Sequence, residues 1–338
     1  MDEVIATIQQ GQALPANKAA SVMRLMISGQ ASPDDIKAFL LAMNDKGPTV
    51  DELVGFARCM REHAIRVECT RAPLVDTCGT GGDASHTFNV STCAAFIAAG
   101  AGVNIAKHGN RAMSSACGSA DVLEELGVNI NLPPEEIGRC IDKIGIGFMF
   151  AQAMHPAMKH VAPVRRELKV HTVFNLLGPL TNPAGATRQV MGVFDPQVMH
   201  LVAAALGQLG CEHALVVHGE GGLDEFSLLD ETRVVEMKNG ELTSWSVSPE
   251  DIGLHLCTGG ELRGGTKEEN AQIIRDILSG EPGPKTDCAL LNAAAAIAVA
   301  GICDFGTEAV ERARAAIASG EAKATLERLV EFTTPERE

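Results

Sequence analysis

Several glycine-rich and polar segments of this sequence contain residue types that could do chemistry. The first is residues 79–83 (GTGGD), which follow a short apolar run. Glycines at such a position let backbone N–H groups face an anion, because no Cβ stands in the way. A helical pattern that begins near Asn89 would add the positive end of its dipole. The turn therefore predicts a phosphate cradle, and a plain tight turn is the alternative.

The next polar segments extend the same chemistry. Residues 87–92 (TFNVST) put hydroxyl and amide groups at a predicted helix start, where capping would use only one or two of them. The others could bind phosphate oxygens and a hydrated metal ion. Farther along, Lys107 and Arg111 offer a point charge and a planar fork, both suited to phosphate, the alternative being a solvated basic loop. No Asp or Glu occurs between Asp83 and Asp121, so positive charge is concentrated there.

Two other interpretations of the glycine turn fit less well. Gly79, Gly81 and Ala84 match a relaxed dinucleotide fingerprint, which would indicate a nucleotide oxidoreductase. That fold needs an acid about 20 residues later to hold a ribose hydroxyl, and none occurs until Asp121. A Walker phosphate loop is excluded because no Gly-Lys-Ser/Thr follows the glycines.

The elements that must position these segments change type near residue 72. Before it the pattern is helical, with Ser32 as an N-cap ahead of a proline and Thr49 opening a capping box. After it, short apolar runs end in glycine or polar residues and lead into helices, which is typical of a parallel α/β sheet. The predicted strands are residues 74–78, 103–106, 146–150, 190–194 and 214–218, and the predicted later helices are residues 195–209, 266–278 and 287–300.

Composition limits the class of protein. A chain of 338 residues with 46% apolar and 21% charged residues can bury a large core, and no apolar stretch in it is long enough to span a bilayer. The acidic N-terminus and ten cysteines without a CxxC pair predict a soluble protein of the reducing cytosol, with no secretory signal and no structural zinc site. A net charge of −15 argues against nucleic acid and anionic membranes as partners.

A series of motifs along the chain matches one known family. They are residues 79–83 (GTGGD), 89–92 (NVST), 107–111 (KHGNR), 118–121 (GSAD), 155–159 (HPAMK), 163–165 (PVR), 174–179 (FNLLGP), 218–219 (HG), 223–225 (LDE) and 291–295 (LNAAA). Together they closely resemble the anthranilate phosphoribosyltransferases, and the resemblance covers nearly the whole chain. It implies transfer of the phosphoribosyl group of phosphoribosyl pyrophosphate to the amine of anthranilate. The products are N-(5-phosphoribosyl)anthranilate and pyrophosphate, in the second step of tryptophan biosynthesis from chorismate.

The resemblance also implies the site residues. The donor, phosphoribosyl pyrophosphate, is expected at Gly79, Gly82, Asp83, Thr87, Asn89, Val90, Ser91, Thr92, Lys107, His108, Gly109, Asn110, Arg111, Ala112, Met113, Ser114, Ser115 and Ser119. The acceptor, anthranilate, is expected at Gly79, His108, Asn110, His155 and Arg165. Mg²⁺ is expected on Ser91, Asp224 and Glu225, whose hard oxygen ligands suit it.

Within these sites, the guanidinium of Arg165 is expected to pair with the carboxylate of anthranilate, and Asn110 is expected to accept from its amine. If the resemblance is set aside, the sequence around Arg165 indicates an ordinary residue on a helix surface. Asp224 and Glu225 would then be a solvated acidic pair. No catalytic side chain is expected, because the aromatic amine is uncharged at neutral pH. Positioning and electrostatics should provide the catalysis.

The family implies the architecture as well. We expect a small all-helical domain, residues 1–72 with a contribution from about 164–184, and a large α/β domain, residues 73–338, with a mostly parallel central sheet of the nucleoside phosphorylase and phosphoribosyltransferase type. A homodimer formed through the helical part is expected. Three positions depart from the family pattern: Gln152 replaces a common proline, and Lys169 and His171 replace the usual glycine and arginine. All three flank the expected acceptor channel.

Two other functions remain open at this stage. Nucleoside phosphorylases share the fold and the glycine turn, but they lack the run at residues 107–111 and would use free phosphate. A noncatalytic relative that binds nucleic acid would need a basic surface, which a chain with a net charge of −15 can hardly supply.

Overall fold

The chain begins with a bundle of helices. The structure, a computed structural model, describes residues 1–81, 86–112 and 116–334. The first helices are α1 Asp2–Gln9, α2 Ala16–Ile27, α3 Pro33–Lys46 and α4 Val50–Glu62. The side chains of Ser32 and Thr49 each accept a hydrogen bond from the backbone N–H three residues later, at 3.1 and 3.4 Å. Both predicted N-caps are thereby confirmed.

A seven-stranded sheet follows the bundle. Its strands are β1 Leu74–Asp76, β2 Asn104–Gly109, β3 Ile146–Phe150, β4 Arg188–Gly192, β5 His213–Gly219, β6 Thr232–Lys238 and β7 Glu241–Val247. The spatial order is β3-β2-β1-β4-β5-β6-β7, parallel from β3 to β5 and antiparallel for the last two strands. The predicted parallel α/β sheet is confirmed.

The sequence analysis missed the hairpin of β6 and β7. Its turn contains Asn239 and Gly240, both with positive φ (52° and 87°), which is the backbone that a two-residue hairpin turn requires. An Asn-Gly pair between two runs of seven residues was the available signal. The hairpin was missed because its strands, especially the exposed β7, contain many polar residues and lack an apolar run.

The remaining helices cover both faces of the sheet. They are α5 Val90–Gly100, α6 Ser119–Leu126, α7 Pro134–Ile144, α8 Ala151–Met154, α9 Ala162–Leu168, α10 Val173–Leu177, α11 Met199–Gln208, α12 Lys267–Leu278, α13 Pro284–Val299, α14 Thr307–Ala318 and α15 Glu321–Thr333. The three predicted later helices correspond to α11, α12 and α13, the first preceded by a short 3-10 turn at Pro196–Val198. Throughout the described ranges, every helix is too short or too polar to cross a membrane.

Alternate residues of the central strands face two different cores. On β5, Leu215 and Val217 join a core with α5 and α13, while Ala214 and Val216 join a core with the first helices. The second core also contains apolar residues from α9 and α10, including Phe174. The segment between β3 and β4 therefore packs on the helical bundle, which is what we would expect if residues of about 164–184 contribute to the helical domain. The domain boundaries themselves stay predictions.

Candidate functional site

The glycine turn lies at the carboxyl edge of the sheet, tied to two other segments. The backbone N–H of Thr80 donates to the carbonyl of Gly192, at the end of β4, over 2.9 Å. The N–H of Gly81 donates to the Asp224 carboxylate over 2.6 Å, and Gly81 has a φ of +64°, in the left-handed region. Of this motif, Gly82 and Asp83 lie outside the described residues.

Gly192 allows the acidic loop to approach the sheet. A Cβ built on Gly192 would lie 1.5 Å from the carbonyl oxygen of Asp224, a distance that no side chain could accept. A Cβ on Gly79 would meet the Asp224 carboxylate at 3.0 Å. The sequence analysis did not identify Gly192 as a functional position. A glycine that ends a parallel strand at the ligand-binding edge was the available signal.

The three expected metal ligands are brought together here from two distant parts of the chain. The backbone N–H of Ser91 donates to the Glu225 carboxylate over 3.1 Å, and Asp224 accepts from the glycine turn. A pocket at this point is lined by Gly79, Ser91 and Glu225. The three expected ligands together offer one hydroxyl and two half-buried carboxylates, an all-oxygen set of the kind that Mg²⁺ prefers. The residues present therefore fit the ion.

Asn292 fixes the end of the acidic loop. This α13 side chain is 3% exposed, and its amide both accepts from the N–H of Phe226 (2.9 Å) and donates to the carbonyl of Phe226 (3.0 Å). Phe226 directly follows Glu225, so the pair of hydrogen bonds sets the direction in which Glu225 leaves the backbone. The family motif at residues 291–295 contained this residue without a role.

Lys107 and His108 lie within a strand and are buried, although we expected them just beyond its end. Strand β2 continues to Gly109, three residues farther than predicted, and each of the two side chains is 3% exposed. The Lys107 ammonium donates to the carbonyl and hydroxyl oxygens of Thr77 at 2.9 and 3.1 Å, and to the Ser91 hydroxyl at 3.4 Å. A fixed positive charge therefore stands beside the expected donor site, and the alternative of a solvated loop is wrong for Lys107.

Some polar side-chain atoms at the start of α5 make no hydrogen bond within the described ranges. Asn89 is its N-cap but makes no side-chain cap, and its amide nitrogen donates instead to the carbonyl of Cys117 at 3.1 Å. Within the described ranges, the Asn89 side-chain oxygen and the Thr92 hydroxyl are buried without a hydrogen-bond partner. Buried polar atoms are normally satisfied, so these two atoms point to a ligand. Thr87 pairs across an isolated bridge with Arg263.

The Arg111 guanidinium forms ion pairs with two acidic side chains. Its guanidinium donates to Glu124 at 2.5 and 2.9 Å and to Asp121 at 2.9 Å, and it stacks over the Phe150 ring at 5.5 Å. A phosphate contact would have to replace part of this pairing, and Arg111 as a donor ligand stays a prediction. Nearby, the Ser119 hydroxyl donates to the carbonyl of Asn110 at 3.2 Å. The expected donor residues Met113, Ser114 and Ser115 lie outside the described residues.

Two expected acceptor residues form a buried pair of neutral rings. The rings of His108 and His155 lie 5.1 Å apart between centroids, and the side chains are 3% and 7% exposed. Burial lowers the pKa of His108 to about 3 and that of His155 to about 4, the first also because the other ring is near. Both imidazoles are therefore uncharged at neutral pH.

Asn110 and Arg165 have different surroundings. The Asn110 side-chain oxygen accepts from the N–H of Arg111 at 2.8 Å and from the Gln152 amide at 3.2 Å.

Arg165 lies on α9 with its guanidinium 5.3 Å above the Phe174 ring, and burial lowers its pKa. It forms no ion pair within the part of the chain that the structure describes. It is thus a half-buried cation that is available to an anionic ligand.

The other two positions at which we expected a departure from the family pattern, Lys169 and His171, have distinct surroundings. Lys169 caps the end of α9 with a φ of +52° and a ψ of 28°, the left-handed conformation for which glycine is the usual residue. The His171 ring packs on the Phe194 ring at 4.4 Å between centroids. The N–H of Phe194 donates to the Thr80 hydroxyl at 3.3 Å, so Phe194 connects His171 to the glycine turn.

Known proteins resemble this chain along its whole length. It matches the family described as "Glycosyl transferase family, helical bundle domain" over residues 2–64, and "Glycosyl transferase family, a/b domain" over residues 71–323. The anthranilate phosphoribosyltransferase of Symbiobacterium thermophilum is 55% identical over 333 residues, which cover 98% of each chain.

Solved structures resemble it too. The crystal structure of the anthranilate phosphoribosyltransferase from Thermus thermophilus has a TM-score of 0.93 and 47% identity, covering 97% of this chain and 98% of that one. The enzyme of the same name from Saccharomyces cerevisiae, in complex with phosphoribosyl pyrophosphate and Mg, has a TM-score of 0.88 and 25% identity, covering 98% of both chains.

Proposed function

Because the chain belongs to the anthranilate phosphoribosyltransferase family, we propose that the edge of the sheet around the glycine turn contains the residues of that family's reaction. The protein transfers the phosphoribosyl group of phosphoribosyl pyrophosphate to the amine of anthranilate, a step of tryptophan biosynthesis, and Mg²⁺ is its cofactor. The observation that best supports the residue assignment is the meeting of Gly81, Ser91 and the acidic pair Asp224 and Glu225 at one point.

The donor binds, in this proposal, between the glycine turn and the first turn of α5. Lys107 places a buried positive charge beside Ser91, which would attract the pyrophosphate. The Asn89 and Thr92 oxygen atoms would accept hydrogen bonds from hydroxyl groups of the donor or from water bound with it. The N-terminal end of α5 adds favourable backbone dipoles for an anion.

Ser91, Asp224 and Glu225 are the residues that would hold Mg²⁺. The ion, when bound, neutralises the negative charge that collects on the departing pyrophosphate. The protein fixes its ligands in advance, because the backbone N–H groups of Gly81 and Ser91 orient the two carboxylates.

The acceptor binds on the other side of the glycine turn. Arg165 would pair with the carboxylate of anthranilate, and Asn110 would accept from its amine. The neutral rings of His108 and His155 would line the site without attracting a second anion. The amine attacks the anomeric carbon as the bond to pyrophosphate breaks, and it then loses one proton to water. A strong base is unnecessary because the amine starts uncharged, so positioning by these residues is what accelerates the step.

Anthranilate fluorescence provides the first test. Purified protein, phosphoribosyl pyrophosphate and Mg²⁺ should together remove the anthranilate signal, and omission of the donor or the metal should preserve it. Arg165→Ala should raise the KM for anthranilate by roughly 10- to 100-fold, because a charged hydrogen-bonding pair contributes about 1.5–3 kcal/mol. Arg166→Ala, the exposed neighbour on α9, is the matched control and should behave as wild type. An unchanged signal from folded protein would overturn the proposal and redirect the search to nucleoside phosphorolysis.

The assembly and the cellular location belong to the same proposal. We infer a homodimer that forms through the helical bundle, residues 1–72 with about 164–184, beside the α/β domain of residues 73–338, and a cytoplasmic location. The supporting observation is the exposure of Leu25 on α2 and Leu41 on α3, at 36% and 41%, which leaves apolar area on the bundle that a second copy could cover. The location is supported by the biosynthetic role alone.

A further inference from the structure

Three potential metal ligands lie on the same face of the sheet at its carboxyl edge. Strands β1 and β2 are parallel neighbours, with Val75 opposite Ile105. Side chains two residues apart on extended chain point the same way, which puts Asp76, Cys78 and His108 on one face. A carboxylate oxygen, the thiol sulfur and a ring nitrogen of these residues all lie within 4.8 Å of one another.

This face differs from the one that contains the Mg²⁺ residues. The Thr77 side chain, between Asp76 and Cys78, points to the opposite side, where its hydroxyl meets the Lys107 ammonium at 3.1 Å. The same ammonium contacts Ser91, one of the expected Mg²⁺ ligands. The end of β1 therefore separates an all-oxygen group of ligands from a group with oxygen, sulfur and nitrogen.

The second group has unused coordinating capacity. His108 is 3% exposed, and neither of its ring nitrogens makes a hydrogen bond of good geometry within the described ranges, although the backbone of Gly178 lies near enough to raise the pKa of the ring. Within residues 1–81, 86–112 and 116–334, the Cys78 thiol makes a single weak contact, with the carbonyl of Gly79 at 3.6 Å. The Asp76 carboxylate accepts from the N–H of His108 at 3.1 Å and from the Asn182 amide at 2.6 Å, and the Thr77 backbone is a third hydrogen-bond partner, which leaves about one of its four acceptor positions free. An unsatisfied imidazole in a buried, polar corner requires an explanation.

We propose that Asp76, Cys78 and His108 bind a divalent ion of the Zn²⁺ class. Imidazole nitrogen, thiolate sulfur and carboxylate oxygen are its three common ligand types, and three protein ligands leave one tetrahedral position for water. As the Zn–S bond forms, the Cys78 thiol releases one proton to solvent. Mg²⁺, which prefers oxygen alone, does not compete for this set. The absence of a CxxC pair is no obstacle, since the ligands come from two adjacent strands.

Occupation of this site would inhibit the enzyme. His108 is one of the residues that we assigned to the acceptor, and its ring contacts His155, another of them. An ion that ligates the ring would turn it and fill space next to anthranilate. We therefore expect inhibition that anthranilate relieves and Mg²⁺ does not. This consequence, unlike binding of the ion itself, rests on the proposed function.

Cobalt(II) is the direct probe, because it takes the same ligands as Zn²⁺ and a thiolate bound to it absorbs in the near ultraviolet. The full chain, in excess Mg²⁺, should develop this absorption with about one equivalent of Co²⁺ and lose it when Zn²⁺ is added. Cys78→Ser should abolish it. Cys257→Ser, at a half-buried thiol outside the cluster, is the matched control and should retain it. No absorption in wild type, or absorption that survives in Cys78→Ser, would overturn the site.

Kinetics then separate the two proposals. In the absence of Zn²⁺, Cys78→Ser should turn over normally, which also reports that the variant is folded. Zn²⁺ should inhibit wild type, and half-inhibition of Cys78→Ser should require at least about tenfold more metal, since loss of even a supporting ligand contact costs that much affinity. A cobalt signal without anthranilate-relieved inhibition would keep the metal site and overturn the acceptor assignment of His108. Inhibition equal in both proteins would overturn the metal site and leave the proposed function intact.

Discussion

At the scale of single residues, one oxygen atom of Asn110 restricts how the acceptor can bind. It already accepts from the N–H of Arg111 and from the Gln152 amide, at 2.8 and 3.2 Å. The amine of anthranilate would have to share this oxygen or displace the Gln152 amide. Gln152 is also one of the three positions at which the sequence analysis expected a departure from the family pattern.

Removal of the Gln152 amide should therefore tighten acceptor binding. We expect Gln152→Ala to lower the KM for anthranilate by roughly 2- to 10-fold, the equivalent of one hydrogen bond of about 0.5–1.5 kcal/mol, and to leave the donor KM unchanged. Steady-state kinetics with each substrate varied would measure this. Gln272→Ala, which removes an exposed amide on α12, serves as the control. A higher KM for anthranilate would mean instead that Gln152 holds Asn110 in its productive orientation.

His213 should make the fold sensitive to acid. It is 8% exposed, and burial lowers its pKa even though its ring nitrogen lies 2.7 Å from the Glu236 carboxylate. The unfolded chain, with a histidine pKa of about 6.5, then binds this proton more readily than the folded chain. Stability that is present above about pH 6.5 is lost as the pH falls below it, by at most about 1.4 kcal/mol per pH unit.

The comparison of wild type with His213→Gln tests this sign. The free energy of unfolding, from urea titrations at several pH values from 7 down to 5, should fall less steeply in the variant. Equal slopes in the two proteins would show that His213 titrates normally in the folded state.

At the scale of structural elements, the end of β4 and the acidic loop depend on each other. Gly192→Ala would place a methyl group 1.5 Å from the carbonyl oxygen of Asp224, so the loop must move away from the glycine turn. We expect the KM for the donor and the Mg²⁺ concentration for half activity to rise at least about tenfold, with a loss of about 1–3 kcal/mol in stability. Kinetics and thermal unfolding would measure both. Gly260→Ala, where the nearest atom is 4.0 Å away, should change neither quantity.

The end of α9 stores backbone strain at Lys169. A side chain in the left-handed conformation costs roughly 1–2 kcal/mol, and glycine avoids this cost while losing part of the gain through its freer unfolded chain. Lys169→Gly should therefore stabilise the protein by about 0.5–1 kcal/mol, measured as a higher Tm. Lys323→Gly, within α15, should instead destabilise it by about 1 kcal/mol. A lower Tm for Lys169→Gly would mean that the lysine side chain makes a compensating interaction.

At the scale of the whole molecule, the exposed leucines of the helical bundle predict how two copies meet. Light scattering should give the mass of a dimer for wild type, and Leu41→Glu should shift the mass toward a monomer, because a buried unpaired carboxylate is unfavourable at an apolar interface. Leu256→Glu, at a 47% exposed leucine of the α/β part, is the matched control and should leave the dimer intact. A monomeric wild type would contradict the inferred homodimer.

The sequence alone determined the order and type of most elements and the general place of the site. The N-caps at Ser32 and Thr49, the parallel strands and the glycine turn at a strand end all depend on residues that are neighbours in the chain. Such local patterns are visible without coordinates. The rule that ligands bind beyond the carboxyl ends of strands then placed the polar segments together.

Only the tertiary structure decided which partners the functional side chains have. The Ser91 N–H reaches Glu225 across 134 positions, and the Gln152 amide reaches Asn110 across 42. The pairing of Arg111 with Glu124, the burial of Lys107 and the close approach of Gly192 to Asp224 are likewise contacts between separate segments. No local pattern encodes them, because each depends on strand register and loop packing, which fix the distance between atoms far apart in the chain.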